Sequence, residues 1–100
     1  MGEKARKRNK EMYEAILSLG SYKECCSFFD DLCTSKELEA MEQRYEVATM
    51  LRQQKVYIEI MKEAGASSAT ISRVKRMLND GTGTLGKKID RQLKDQKAES

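Results

Sequence analysis

The stretch EAGASSATISRVKRML, Glu63 to Leu78, decides how the rest of the chain is read. A glycine, two serines and a threonine separate the apolar-periodic segment VYIEIMKEA from a run of arginine and lysine. Gly65 can take the positive φ that ends a helix, and the small Ala64 before it lets two helices approach. Ser67 or Ser68 can cap a second helix running from about Ala69 to Leu78, with Ile71, Val74, Met77 and Leu78 facing inward. Upstream, a short helix from about Val56 to Ala64 carries Ile58, Ile60 and Met61. Helix, glycine turn and helix over about residues 56–78 have the proportions of a helix-turn-helix.

In that motif Ile60, Ile71 and Val74 fasten the two helices to a core. Ser67, Ser68, Ala69, Ser72 and Arg73 are left on the exposed first half of the second helix. Small hydroxyl and methyl side chains there allow close approach to DNA. Hydroxyls can bond phosphates or base edges, and Ala69 can touch a thymine methyl. The helix N-terminus favours phosphate, and Lys75 and Arg76 follow within reach of a backbone. The pattern alone also fits a plain helical hairpin whose serines cap and whose arginines are solvated.

Working outward, the chain continues in helical periodicity. Met12, Ala15, Ile16 and Leu19 recur from about Lys10 until Gly20 offers a stop. Ser21 with Glu24 makes a capping box that opens a helix carrying Cys25, Phe28, Phe29 and Leu32. Thr34 with Glu37 repeats the device for the longest helix, striped by Leu38, Met41, Tyr45, Ala48 and Leu51, widened by Val47 and Met50. That helix runs to about Gln53 or Gln54. Beyond Leu78, NDGTGTLG breaks the chain with three glycines. A last weak helix with Leu85, Ile89 and Leu93 fades into a polar tail. The organisation expected is a flexible basic arm over 1–9, a helical domain over 10–80, and a glycine-rich break with a polar tail over 81–100.

One hundred residues suffice for one small domain. Abundant helix formers, no proline and no strand signal make the expected class all-α. Wide apolar stripes on helices this short would leave much apolar surface on a monomer, so a homodimer is expected. Net charge is only +3, but it is unevenly spread. Residues 1–10 carry five bases against one acid (+4), and residues 11–65 six bases against eleven acids (−5). Residues 66–80 carry three bases against one acid (+2), and residues 87–100 five against three (+2). Basic ends and a basic reading stretch around an acidic middle suit a polyanionic partner.

Several classes are disfavoured. No apolar run approaches the ~20 residues needed to span a bilayer, so no membrane partner is expected, and the N-terminus MGEKARKRNK lacks the apolar core of a secretory signal. Cys25, Cys26 and Cys33 match no zinc spacing, and there is no histidine, so no metal is expected. The three thiols read as reduced and mostly buried in a cytoplasmic protein. No nucleophile–base pair and no glycine-rich phosphate loop before a helix is visible, so no enzyme is expected.

The stretch from Thr34 through Leu78, and GASSATISRVKRML within it above all, resembles the Trp repressor superfamily, closest to its Trp-repressor-related branch called YerC/YecD. LEAMEQRYEVATML and two preceding helices of suitable length support the likeness, which covers about residues 10–80. The resemblance implies an intertwined, all-helical homodimer whose first three helices and last helix interlock. Two helix-turn-helix units would then face successive major grooves about 34 Å apart. It also implies a sequence-specific transcriptional regulator, a repressor in bacterial cytoplasm associated with the nucleoid. The alternative is a helical dimer that serves as a protein-interaction module.

The DNA-binding residues expected on these grounds are Ser67, Ser68, Ala69, Thr70, Ser72, Arg73, Lys75 and Arg76, with double-stranded DNA as partner. In tryptophan-binding members the corepressor lies between two arginines. The matching positions here are Arg44 and Arg73, with Thr70 beside the latter and Thr34 at the opening of the long helix. These four form a candidate effector pocket. Two departures count against L-tryptophan. Val74 stands where those members have a glycine, and Met77 where they have a serine near the ligand's amino group. Both narrow the slot, and no cofactor is expected. The first motif helix departs as well, with Val56, Ile58 and Met61 where polar residues are expected.

Overall fold

A computed structural model describes residues 6–99, so most of the basic arm, residues 1–5, lies outside the described residues. Among the described residues there are six α-helices and no strand: α1 (Lys10–Leu17), α2 (Tyr22–Leu32), α3 (Ser35–Arg52), α4 (Tyr57–Ala64), α5 (Ser68–Asp80) and α6 (Thr84–Glu99). The chain divides into two compact units, one ending at Leu38 and the other beginning at Glu39.

The first unit is organised by caps. Asn9 begins α1 as its cap, its side chain accepting the Met12 N–H at 2.9 Å. Gly20 does not end α1, which stops at Leu17. Instead the Ser18 hydroxyl turns back onto the Ala15 carbonyl at 2.7 Å, diverting the last turn. The Gly20 N–H donates to Glu24 Oε1 at 2.7 Å, while Ser21 Oγ accepts the Glu24 N–H at 3.0 Å. Thr34 and Glu37 form the reciprocal capping box at 3.1 and 2.8 Å. No residue of α1 or α2 is buried, and Leu17 and Tyr22 stand 84% and 86% exposed. Phe28 and Phe29 meet edge to face with centroids 5.4 Å apart. The expectation of buried thiols fails here: Cys26 is exposed, and Cys25 and Cys33 are only half-buried.

The core belongs to the second unit. It joins Val47, Ala48 and Met50 of α3, Ile60 of α4, Ala66 of the following turn, Ile71 and Val74 of α5, and Ile89 of α6. Only the C-terminal end of the α3 stripe is buried; Met41 and Tyr45 remain exposed. α3 ends at Arg52 in a Schellman motif, with Gln54 N–H on the Leu51 carbonyl and Lys55 N–H on the Met50 carbonyl. Gln54 sits in the left-handed region at φ 64°, a conformation usually left to glycine.

Where the sequence reads as a break and a fading helix, α6 runs for 16 residues. Its Ile89 is fully buried, and Leu93 packs against the cluster. Arg52 of α3 donates from Nε to Asp90 Oδ1 at 2.9 Å and from its terminal nitrogen to Asp90 Oδ2, a two-point contact. Gly86 makes room for it, since a Cβ there would lie 3.3 Å from the guanidinium. Tyr45 donates its hydroxyl to Gln92 on the same helix. A weakly patterned helix is thus held to α3 by polar contacts that periodicity does not register.

Candidate nucleic-acid interface

The α4–turn–α5 unit is built as the local chemistry dictates. Val56 precedes α4 without a side-chain cap. Gly65 ends it at φ 64°, ψ 28°, its N–H on the Met61 carbonyl at 3.0 Å. No heavy atom lies within 4 Å of a Cβ built there, so glycine is needed for its backbone angle and not for space. Ser67 is the cap of α5, accepting the Thr70 N–H at 3.1 Å and donating its hydroxyl to Thr70 Oγ1 at 3.1 Å. Ala66 between them is buried, which pins the turn to the core.

The two motif helices are locked from beneath by Ile60 and Ile71, both 0% exposed, and Val74 at 2%. A further fastening comes from α3. The Gln43 amide donates to the carbonyls of Ala64 and Gly65, at 3.2 Å each, binding the last turn of α4 and the glycine to the long helix. Sequence reasoning missed Gln43. Its only signal is a position one turn before Val47, on the side of α3 that turns toward the core.

With its buried side so committed, α5 presents Ser67, Ser68, Ala69, Ser72, Arg73, Lys75 and Arg76 on the exposed side, and Thr70 half-buried at the edge. At about 100° per residue, Ser68, Ala69, Ser72 and Arg76 share one arc, with Lys75 and Arg73 at its margins. Among the described residues, Arg44, Arg73, Lys75 and Arg76 enter no ion pair and no side-chain hydrogen bond. Ser67 has already spent its one hydroxyl proton on Thr70 and retains only acceptor capacity. Ser68 and Ser72 have no such internal partner. Met77, expected to face inward, is instead 47% exposed, because it lies on the flank of the helix away from Ile71 and Val74.

Of the candidate effector residues, Arg44, Thr70 and Arg73 lie in the second unit and Thr34 in the first. Thr34 is engaged in the capping box of α3, and Thr70 with Ser67. A groove of about 650 Å³ is lined by Gln53, Leu93, Lys94, Gln96 and Lys97, none of them among these four. Val74, buried, contributes its volume to the core.

The chain matches the Trp repressor protein family over residues 7–93. The chain belongs to the Trp repressor family. It is 49% identical over 90 residues to the uncharacterized protein YerC of Bacillus subtilis (strain 168), an overlap covering 90% of this chain and 86% of that one. Among solved structures it is similar to a TrpR-like protein from Eubacterium eligens, with TM-score 0.79 and 44% identity over 82% of this chain and 84% of the other. A candidate Trp repressor from Staphylococcus aureus gives TM-score 0.79 and 47% identity over 83% of each chain. The all-helical Trp-repressor-like fold expected from GASSATISRVKRML is therefore the fold of this family, a family of helical regulators. No described helix is long and apolar enough to cross a membrane, and no described cluster of acids and cysteines is arranged to hold a metal.

Proposed function

We propose that this member of the Trp repressor family is a sequence-specific DNA-binding transcriptional repressor, acting as a homodimer in the bacterial cytoplasm on the nucleoid. The observation that carries the reading is the exposed side of α5. Unbonded Ser68 and Ser72 flank Ala69, with unpaired Arg73, Lys75 and Arg76 along the same helix. The serines and Ala69 read base edges in the major groove, with Thr70 at the margin. Ser67 accepts from its cap position, and Arg73, Lys75 and Arg76 hold phosphates. The unburied apolar faces of α1 and α2 supply the surface for a second copy. Arg44 and Arg73 hold no tryptophan in this reading, because Val74 and Met77 replace the small and polar neighbours such a slot requires. Calorimetry with L-tryptophan tests that point, and micromolar binding heat would refute it.

Fluorescence anisotropy on genomic fragments at two salt concentrations tests the main reading. Affinity should fall steeply with salt as condensed counterions are released. Ser68 and Ser72 changed together to alanine should relax sequence preference, whereas Lys75→Ala should weaken all sequences alike. Weak, salt-insensitive binding would refute the reading. It would favour a second one, a protein-interaction module docking through the exposed Val56, Ile58 and Met61 of the α4 region.

A further inference from the structure

The side chains of α6 divide into two sets. Gly86 and Ile89 are buried, Leu93 is half-buried, Gln92 bonds Tyr45, and Asp90 holds Arg52. That side is committed to α3 and the core. On the opposite side Lys87, Arg91 and Lys94 follow at i, i+4 and i+7, a row about 10 Å long, with Lys88 beside it. The helix's acids neutralise only the middle member of this row and leave Lys87 and Lys94 unpaired. Asp90 is taken by Arg52, and Asp95 pairs with Arg91 at 3.3 Å, which leaves Glu99 at the helix end. Lys87, Lys88, Lys94 and Lys97 enter no ion pair among the described residues. Next to Lys94 the surface is concave. The groove lined by Gln53, Leu93, Lys94, Gln96 and Lys97 has two cations, two amides and no acid.

We propose that the outer face of α6, through Lys87 and Lys94 with Lys97 at the groove, is a second polyanion-binding surface that takes backbone phosphates of nucleic acid. It rests on the DNA-binding reading and adds a contact region separate from α5. A single small anion would need only the groove. A row of cations spread over about 10 Å matches a polymer carrying a charge at every repeat. Lysine ammonium groups act as point charges without the planar fork of arginine, so this surface adds affinity and salt dependence but no base preference.

The test measures the slope of log K against log salt for full-length protein on a random-sequence duplex. The variants are Lys87→Ala with Lys94→Ala, Lys75→Ala, and Lys23→Ala with Lys36→Ala as a control for net charge. Each lost phosphate contact lowers the slope by about 0.9, so the Lys87/Lys94 pair should reduce it by about 2 per bound chain. The preference for specific over random sequence should stay unchanged. All substituted lysines are exposed, and far-ultraviolet circular dichroism verifies that each variant is folded. If the wild type binds duplex and Lys75→Ala lowers the slope while the α6 pair does not, this proposal is overturned and the DNA-binding reading stands. An equal drop in the Lys23/Lys36 control would also overturn it, by assigning the effect to net charge. If the pair loses binding of orthophosphate, followed by NMR, with the duplex slope intact, the surface is a small-anion site and the proposal again fails. A wild type that binds no duplex sinks both readings together.

Discussion

Replacing Gln43 isolates the tie between the long helix and the turn of the reading motif. Its Nε2 donates to two carbonyls 21 and 22 residues away, at 3.2 Å each. A neutral hydrogen bond contributes about 0.5–1.5 kcal/mol net. The Gly65 carbonyl is exposed and rehydrates when its donor is lost, whereas the Ala64 carbonyl is partly buried, so Gln43→Met should cost about 1–2 kcal/mol. Gln43→Glu is worse at neutral pH. It sets a carboxylate against two carbonyl oxygens at the negative end of α4, adding about 0.3–1 kcal/mol from the helix dipole. Those carbonyls disfavour the charged form, so folding raises the pKa of this carboxyl above its unfolded value. The added penalty is present above that folded-state value and disappears as pH falls through it, where the neutral carboxyl again donates. Urea unfolding followed by circular dichroism, at one fixed protomer concentration and at pH 7 and pH 4, gives each variant's difference from wild type. The Met difference should hold constant with pH, and the Glu difference should shrink at pH 4. A Glu variant as stable as wild type at pH 7, or a gap to wild type that does not narrow at pH 4, would refute the role given to Gln43.

Three further outcomes are expected of the second unit. Gly65→Ala forces a Cβ into φ 64° and should cost about 1–2 kcal/mol, while Gln54→Gly, at the same φ, should gain up to about 1 kcal/mol; chemical melts read both, and opposite signs would refute the strain argument. Ile89→Ala should cost about 2–5 kcal/mol if α6 is part of the core, and a loss near that of a surface substitution would show that it is not. The hydrogen bond from Arg52 holds the Asp90 carboxyl below its ordinary value of 3.8. Its contribution is therefore complete above that value and lost as pH falls through the lower folded-state value. The stability gap between wild type and Asp90→Asn should close in that acid window, and a gap that widens there would contradict the pairing.

Much of the fold is legible because its signals are local. Ser21 with Glu24, Thr34 with Glu37, Ser67 with Thr70, and Gly65 all act on atoms no more than four residues away, so the sequence contains both partners of each contact. The exposed arc of α5 is readable for the same reason, since helical periodicity alone sets Ser68, Ala69, Ser72 and Arg76 opposite Ile71 and Val74. The misreadings have two sources, one local and one tertiary. Gly20 looked like a helix stop, but it serves the next helix through Glu24. Met77 belongs by periodicity to the inward stripe, yet lies at a flank that nothing in its own unit covers fully.

By itself, then, the sequence determined the number of helices, most of their beginnings, the glycine turn and the family, through short-range hydrogen bonds and the period of apolar residues. Only tertiary structure decided which apolar residues are buried, that α6 belongs to the core, and which cations remain free. The Gln43 contacts span 21 and 22 residues, and Arg52–Asp90 spans 38. Pairings at such distances leave no local pattern, because polar side chains choose partners only after packing brings distant helices together. Those choices neutralise Asp90 and Asp95 and leave Lys87, Lys94, Lys75 and Arg76 among the unpaired charges of the described surface.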